Sequence, residues 1–186
     1  MTFPSSTRTW GIEYRGRFTV PNPTPEAEDI SGYFYYTFTD VTSSIHFDHA
    51  TSTWEEGDTN LGDIAPHKVN LGINIPTNSG WNLHLRANFV SRRTLYSQNA
   101  LRERGETIDP YAVIHGALSY TYGPLTVTGK VINMLNHFYF HPGVEQADSG
   151  DDFTQRSLGF RNSLIPQPGR SCFFRVSFDF GMMNRL

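Results

Sequence analysis

The sequence lacks a long hydrophobic run. None of its stretches approaches the about 20 consecutive apolar residues that a membrane-spanning helix needs, and the mean hydropathy is −0.42. Charge is also scarce, because charged residues make up 18% of the chain, below the about 25% typical of soluble domains. Aromatic residues, in contrast, reach 14%. A chain that is polar on average and rich in aromatic residues favours alternating strands over transmembrane helices.

Cysteine is nearly absent as well. Cys172 is the only one, which excludes an internal disulfide and a metal site made of four thiolates. The formal net charge of −3 gives no reason to expect a nucleic-acid partner. The sequence also lacks a G-x-S-x-G elbow and a phosphate-binding glycine loop. We therefore predict that the protein is not an enzyme and needs no cofactor.

A two-residue hydrophobic period runs through the chain. In its last segment, Cys172, Phe174, Val176 and Phe178 alternate with residues such as Arg175, which is the pattern of a strand with two different faces. Segments with the same alternation, or with a dense run of β-forming residues, are 10–20, 31–42, 66–75, 81–90, 111–122 and 125–134. The sequence therefore predicts an all-β fold, an antiparallel meander of about seven strands.

The lengths of the predicted connections also alternate. Those after the first, third and fifth strands have about nine, five and two residues, whereas the others have about 22, 15 and 34. Short turns on one side and long loops on the other are typical of an outer-membrane barrel. Strands of about ten residues also have the length that a tilted membrane-crossing strand needs. The alternative is a soluble β-sandwich or a small lipocalin-like barrel that binds an apolar ligand.

Four segments resemble, in the same order, strands of TonB-dependent outer-membrane receptors. RTWGIEYRGRFTV (8–20) resembles a strand with a G-x-E motif, and PHKVNLGINI (66–75) with WNLHLRANFVSRR (81–93) resembles a late hairpin. LTVTGKVINMLNHFYF (125–140) resembles the penultimate strand. IPQPGRSCFFRVSFDF (165–180) resembles the closing strand, in which P-G-R precedes alternation to a terminal aromatic residue. The resemblance implies the C-terminal part of the receptor's β-barrel domain.

The resemblance divides the chain into three parts. Residues 1–7 form an irregular start, 8–180 a barrel segment, and 181–186 (GMMNRL) a short extension beyond the usual terminal aromatic residue. Family members have a plug domain and a barrel of about 22 strands, so the segment is expected to be an open part of a 22-stranded transmembrane barrel. About 15 further strands and the plug are then expected outside the chain. An export signal is expected there too, since MTFPSSTRTW is not a secretory signal peptide.

The resemblance also implies a function and its partners. It implies energy-coupled uptake of a scarce ligand, such as a ferric siderophore, cobalamin, haem or a glycan, across the outer membrane of a Gram-negative cell. Expected partners are outer-membrane lipid, the barrel-assembly machinery, the missing N-terminal barrel and plug, and, through that plug, the inner-membrane TonB complex. A non-functional truncated product is a further alternative.

Several residues receive roles from this resemblance. Outward loops of the family contact ligand, so candidates for ligand contact are Arg102, Arg104, His137 and His141. For the two arginines the alternative is a neutralised loop, because Glu103 and Glu106 are interleaved with them. The P-G-R motif and the closing strand give structural roles to Gly169, Arg170, Phe174, Phe178 and Phe180. An aromatic girdle at the two membrane interfaces is assigned to Trp10, Trp81, Tyr120 and Tyr122.

Two clusters suggest metal binding, but we interpret the first as ordinary loop or lumen histidines and the second as a solvated acidic loop. His46 and His49 have the types that bind a metal or haem, but His-x-x-His in a strand points the imidazoles to opposite faces. DSGDDF at 148–153 has clustered carboxylates for Ca²⁺ but lacks the full loop spacing. The arginines of the presumed lumen faces are interpreted as parts of a polar barrel wall, with contact to the plug or the ligand path as the alternative: Arg15, Arg17, Arg86 and Arg175. We therefore predict no metal site.

Overall fold

The computed structural model describes residues 5–48, 50–57, 62, 64–95, 107–142 and 164–180. Within those ranges the chain forms antiparallel β-structure and no α-helix. No helix in the described part is long and apolar enough to cross a membrane. The predicted all-β class is confirmed.

The described residues form twelve strands. They are β1 (Ser5–Val20), β2 (Ile30–Asp48), β3 (Thr53–Glu56), β4 (His67–Pro76), β5 (Trp81–Val90), β6 (Arg93–Thr94), β7 (Thr107–Ile108), β8 (Tyr111–Tyr122), β9 (Leu125–Ile132), β10 (Phe140–Pro142), β11 (Leu164–Pro166) and β12 (Ser171–Phe178). β1 begins at Ser5 and therefore includes the last residues of the segment predicted as an irregular start.

The main sheet is a meander of seven strands in the order β1-β2-β4-β5-β8-β9-β12. Every neighbouring pair is antiparallel. β3 adds a short hairpin to the extended end of β2, which makes β2 longer than the 31–42 segment predicted from the sequence. β1 and β12 are the two edges, and among the described residues each pairs on one side only.

The connections sort to two ends of the sheet. At the short-turn end, Gly123 joins β8 to β9 with φ 54°, the positive φ that two-residue hairpins need at their first position. Gly80 has φ 86° in the turn before β5. At the other end, the long connections were predicted to be irregular, but parts of two of them are paired. β6 pairs with β7 and β10 pairs with β11, so each of these connections starts and finishes on a short ladder.

The register sorts side chains by chemistry. Residues directly opposite each other share a face, as in the row Phe34, Leu71, Ala87 and Ile114. The apolar face comprises the even-numbered residues of 10–20 and 30–38, the odd-numbered residues of 69–75 and 81–89, the even-numbered residues of 112–122, the odd-numbered residues of 125–131, and the even-numbered residues of 172–178. Every member is aliphatic, aromatic, glycine or cysteine, and none is charged. The first charged residue lies at the edge of this face, where Asp40 is directly opposite Trp10.

The alternate residues of the same strands form the polar face. The buried hydrophobic residues of the described chain lie away from the apolar face: Ala65, Leu95, Ile108, Tyr111 and Val113. Tyr111 and Val113 belong to the polar face, at the end of β8 next to the long connections. The described part of the chain thus has its small core at that end, and no second layer covers the apolar face.

Candidate functional site

The apolar face is exposed across the sheet. Ile12 on β1 is 54% exposed, Leu118 on β8 is 45% exposed and Phe174 on β12 is 73% exposed. A strand of ten residues, such as β4, rises about 33 Å along its own axis. A tilt of about 40° brings this rise close to the about 25 Å apolar band of outer-membrane barrels. A ten-residue strand tilted by this angle would therefore match the height of that band.

Aromatic side chains lie at both ends of the apolar face. At the short-turn end, the Trp81 ring centroid lies 4.7 Å from that of Tyr120, and Tyr122 is 75% exposed beside them. Towards the long connections, the Trp10 ring lies 5.1 Å from the Phe38 ring in an edge-to-face contact. The predicted girdle residues thus occupy the two ends of the face, where an aromatic girdle would meet the membrane interfaces.

The start of the closing strand is fixed by Asn136, which lies in the connection after β9. The Asn136 Oδ1 atom accepts a hydrogen bond from the Arg170 backbone N–H at 2.8 Å. A Cβ atom on Gly169 would lie 2.9 Å from the same oxygen, so glycine suits this close approach. Further along, the Phe178 and Phe180 rings pack edge to face at 4.9 Å.

The polar face is predominantly basic. Its Lys and Arg residues are Arg15, Arg17, Lys68, Arg86, Lys130 and Arg175. Glu13 is the acidic residue among the described residues of this face, and its carboxylate already pairs with Arg15 at 3.0 Å. The Arg17 Nε atom donates to the Tyr35 hydroxyl at 3.4 Å. The overall charge of −3 therefore conceals a basic surface on one side of the sheet.

A cluster of aromatic, histidine and arginine side chains lies where the long connections leave the sheet. We call Arg93, Tyr111, Tyr139 and His141 the tyrosine–histidine cluster. The Tyr111 hydroxyl lies 3.1 Å from His141 Nε2, within hydrogen-bond distance. Arg93 Nη2 donates to the Phe140 carbonyl at 3.3 Å. The Tyr111 and Tyr139 rings are 4.4 Å apart, so the cluster fastens β10 to the first residue of β8.

Burial governs the protonation of this cluster. Burial, and secondly the nearby Arg93 guanidinium, lowers the pKa of His141 below its ordinary value. Burial also raises the pKa of the Tyr139 hydroxyl. Both shifts favour the neutral side chains. The cluster therefore presents aromatic surface and neutral hydrogen-bonding groups, together with one permanent positive charge on Arg93, which suits contact with a ligand.

Asn133 links the beginning and the end of the last long connection, between β9 and β12. It is fully buried and has φ 51°, a left-handed conformation that asparagine tolerates better than most residues. Its Nδ2 group donates to the carbonyls of His137 at 2.8 Å and Pro168 at 3.2 Å, and its Oδ1 atom accepts from the His137 N–H at 2.9 Å. These bonds position residues 137–141 against the segment that precedes β12.

The sequence-predicted ligand contacts divide into two pairs. His137 and His141 both lie against Tyr139, at ring distances of 6.4 Å and 5.6 Å. Arg102 and Arg104 lie outside the described residues, as do His49 and the segments 148–153 and 181–186. His46 lies in β2, in register with Glu55. Among the described residues, no three His, Cys, Asp or Glu side chains are grouped to hold a metal ion.

Sequence reasoning missed three members of the cluster, Arg93, Tyr111 and Tyr139. Nothing in the sequence links Arg93 or Tyr111 to the cluster, because the partners of each lie in a distant connection along the chain. The one available signal was Tyr111 at the start of an alternating strand, directly after a long loop. Compared with known proteins, the chain matches no family model and no curated protein.

Proposed function

We propose that this chain forms part of the barrel wall of a TonB-dependent outer-membrane receptor, with its apolar face on lipid and its polar face towards the lumen. The observation that carries the proposal is the register of the main sheet. Across seven strands it gathers uncharged aliphatic, aromatic and glycine residues, together with Cys172, on one exposed face. A single slip of one residue in any strand would place polar residues on that face.

The edges of the sheet also support a barrel segment. Because seven antiparallel strands alternate in direction, β1 and β12 run the same way. Direct closure of β1 on β12 would therefore make a parallel pair, whereas outer-membrane barrels are antiparallel. An antiparallel barrel needs an odd number of further strands between these edges. A receptor barrel of about 22 strands supplies 22 − 7 = 15, which is odd.

Exposure favours this proposal over a soluble sandwich. A sandwich covers its apolar face with a second sheet, and a small barrel encloses that face around its ligand. In the described residues, each edge strand has side chains of that face that are more than half exposed, such as Tyr14 at 58% and Val176 at 58%. Lipid is a covering that needs no second layer of protein.

In this proposal the chain contributes wall and outward connections to energy-coupled uptake of a scarce ligand. The tyrosine–histidine cluster lies at the end with the long connections, which is the extracellular end in such barrels. Coupling to the inner-membrane TonB complex would act through a plug supplied by other parts of the receptor. The protein would then reside in the outer membrane of a Gram-negative cell, inserted there by the barrel-assembly machinery.

A pair of neighbouring cysteine substitutions tests which face meets lipid. In a Cys172→Ser background, Leu118→Cys places a thiol on the apolar face and Ser119→Cys places one on the polar face at the same depth. In lipid vesicles we expect a membrane-impermeant maleimide to label Ser119→Cys at least about tenfold faster, because thiolates form poorly in apolar surroundings. Equal rates in vesicles, or protection of Leu118→Cys in buffer without lipid, would contradict the proposed orientation.

A chimera tests the family. Residues 8–180 would replace the last seven strands of a TonB-dependent receptor, and the readout is heat-modifiable migration in the outer-membrane fraction. We expect insertion, because the segment offers two edges and the correct strand parity. A matched chimera with Leu118→Asp should insert less, since a charge on the lipid face is unfavourable. If the unmutated chimera also failed to insert, in several receptor hosts, the proposal of this family would lose its support.

A further inference from the structure

Four basic side chains line one hollow on the polar face: His84, Arg86, His115 and Lys130. The register explains why they meet. Ala117 lies directly opposite His84 on one side and Lys130 on the other, and its short side chain leaves a gap between them. Arg86 lies directly opposite His115 in the next polar row. The hollow measures about 320 Å³, at the lower end of the range for small-molecule sites.

The hollow presents donors almost exclusively. Arginine and lysine have only N–H donors. The His115 Nδ1 atom accepts the Asn133 backbone N–H at 3.3 Å, so the proton of its neutral ring lies on Nε2. A ligand that satisfies these groups must therefore supply acceptors.

Among the residues that the structure describes, the positive charges in the hollow have no acidic counterion. None of its lining residues is acidic, and among the described residues neither Arg86 nor Lys130 forms a salt bridge. The acid on this face, Glu13, lies on the edge strand β1 and is paired with Arg15. Arg86 on β5 and Lys130 on β9 flank β8, so two like charges border the same hollow, and their mutual repulsion is unfavourable. A bound anion would relieve this repulsion.

We infer that this hollow binds a polyvalent oxyanion, a ligand with two or more negative charges on carboxylate or phosphate oxygens. Arg86 offers the planar pair of donors that matches such groups, and Lys130 offers a mobile point charge from the other side. The histidines complete the donor set. The inference rests on the proposed function for one point, that the polar face borders a water-filled lumen.

The test is to titrate anions into the full chain in detergent micelles and to monitor the ring signals of His84 and His115 by NMR. The probes are citrate for carboxylates and pyrophosphate for phosphates, with acetate at equal ionic strength as the monovalent control. We expect saturable shifts with at least one polyvalent probe and none with acetate. Citrate alone would define a carboxylate site, and pyrophosphate alone a phosphate site.

Matched variants separate the hollow from general charge attraction. Arg86→Gln or Lys130→Gln should weaken binding by about tenfold or more, because charge-assisted hydrogen bonds are about twice as strong as neutral ones. Arg175→Gln removes the same charge from the same face, outside the hollow, and should change binding less than about twofold. Arg86→Lys keeps the charge but loses the planar donors, so it should recover only part of the affinity.

Two results would overturn the inference: no saturable shift with either polyvalent probe, or equal weakening by Arg175→Gln and Arg86→Gln. Failure of the proposed function has a different signature. It would appear as equal maleimide labelling of the two faces in vesicles, while the histidine signals would still report binding in the hollow. Slow maleimide labelling of the apolar face in vesicles, together with no shift of the histidine signals, would refute the oxyanion site and leave the proposed function standing.

Discussion

A charge placed on the apolar face gives the sharpest prediction. Leu71 is the fifth residue of the ten-residue strand β4 and is 41% exposed. It lies between Phe34 and Ala87 in an apolar row. If lipid covers this row, Leu71→Arg puts a guanidinium near the middle of the bilayer. Asn70→Arg is the matched control, because it places the same side chain on the polar face one residue away.

The two variants should differ by several kcal/mol. Arginine on the lipid face near the bilayer midplane costs about 2–4 kcal/mol in transmembrane barrels. On the polar face, where Asn70 lies between Tyr35 and Asn88, a surface substitution should stay within about 0.5 kcal/mol. With a urea dependence of about 2 kcal/mol per molar, the middle of the usual range, Leu71→Arg should lower the unfolding midpoint by about 1–2 M.

The assay is urea unfolding of the chain in lipid vesicles, followed by tryptophan fluorescence. Equal slopes for the wild type and both variants would show that the midpoint reports stability. A cost for Leu71→Arg below about 1 kcal/mol would refute the reasoning, since an exposed residue of a soluble sheet tolerates such a change. An equal cost for Asn70→Arg would refute it as well.

Three further predictions concern the turns and the last connection. Gly80→Ala should lower the free energy of unfolding by about 1–3 kcal/mol, because Gly80 has φ 86° and a Cβ would collide with the Thr121 carbonyl oxygen. The control is Gly129→Ala, whose Cβ would meet nothing within 4 Å and which should be neutral in the same urea assay. Equal effects of the two variants would contradict a special role for Gly80 in its turn. Asn133→Ala should lower the free energy of unfolding by about 1–3 kcal/mol, since it leaves three hydrogen-bonding partners unpaired. Amide hydrogen exchange should also become faster in residues 137–141. Unchanged exchange would contradict the role of Asn133 in holding these residues in place. The pKa of His141 is lowered in the folded chain, so the unfolded chain binds the proton more readily. The contribution of His141 to the free energy of unfolding should be fully present above the ordinary histidine pKa of about 6.5 and should be lost as the pH falls towards the lowered value. His141→Gln should flatten this part of the stability–pH profile, and an unchanged acid slope would exclude His141 as its source.

The strands were predictable where alternation was complete. Segments 81–90 and 111–122 coincide with β5 and β8, because a two-residue period is local and can be read from neighbouring residues. β2 runs past its predicted end to Asp48, since its extension pairs with β3. The ladders β6–β7 and β10–β11 have two or three residues per strand, too short to show a period.

The candidate sites, like the strands, could be predicted only in part from the sequence. The sequence predicted that His137 and His141 lie in a long connection, but not that both rings contact Tyr139. It placed Arg86 on a polar face without showing that Lys130, two strands away, borders the same hollow. Such neighbours depend on which strands pair and in which register, and the alternation of one strand carries neither fact.

The sequence by itself determined the all-β class, the positions of the main strands and the two chemistries that alternate along each of them. Only the tertiary structure decided that the apolar halves of seven strands fall on one face, leaving basic residues on the other. The physical reason is that register is set by hydrogen bonds between strands distant along the chain. A shift of one residue would have exchanged the two faces of a strand without altering its own pattern.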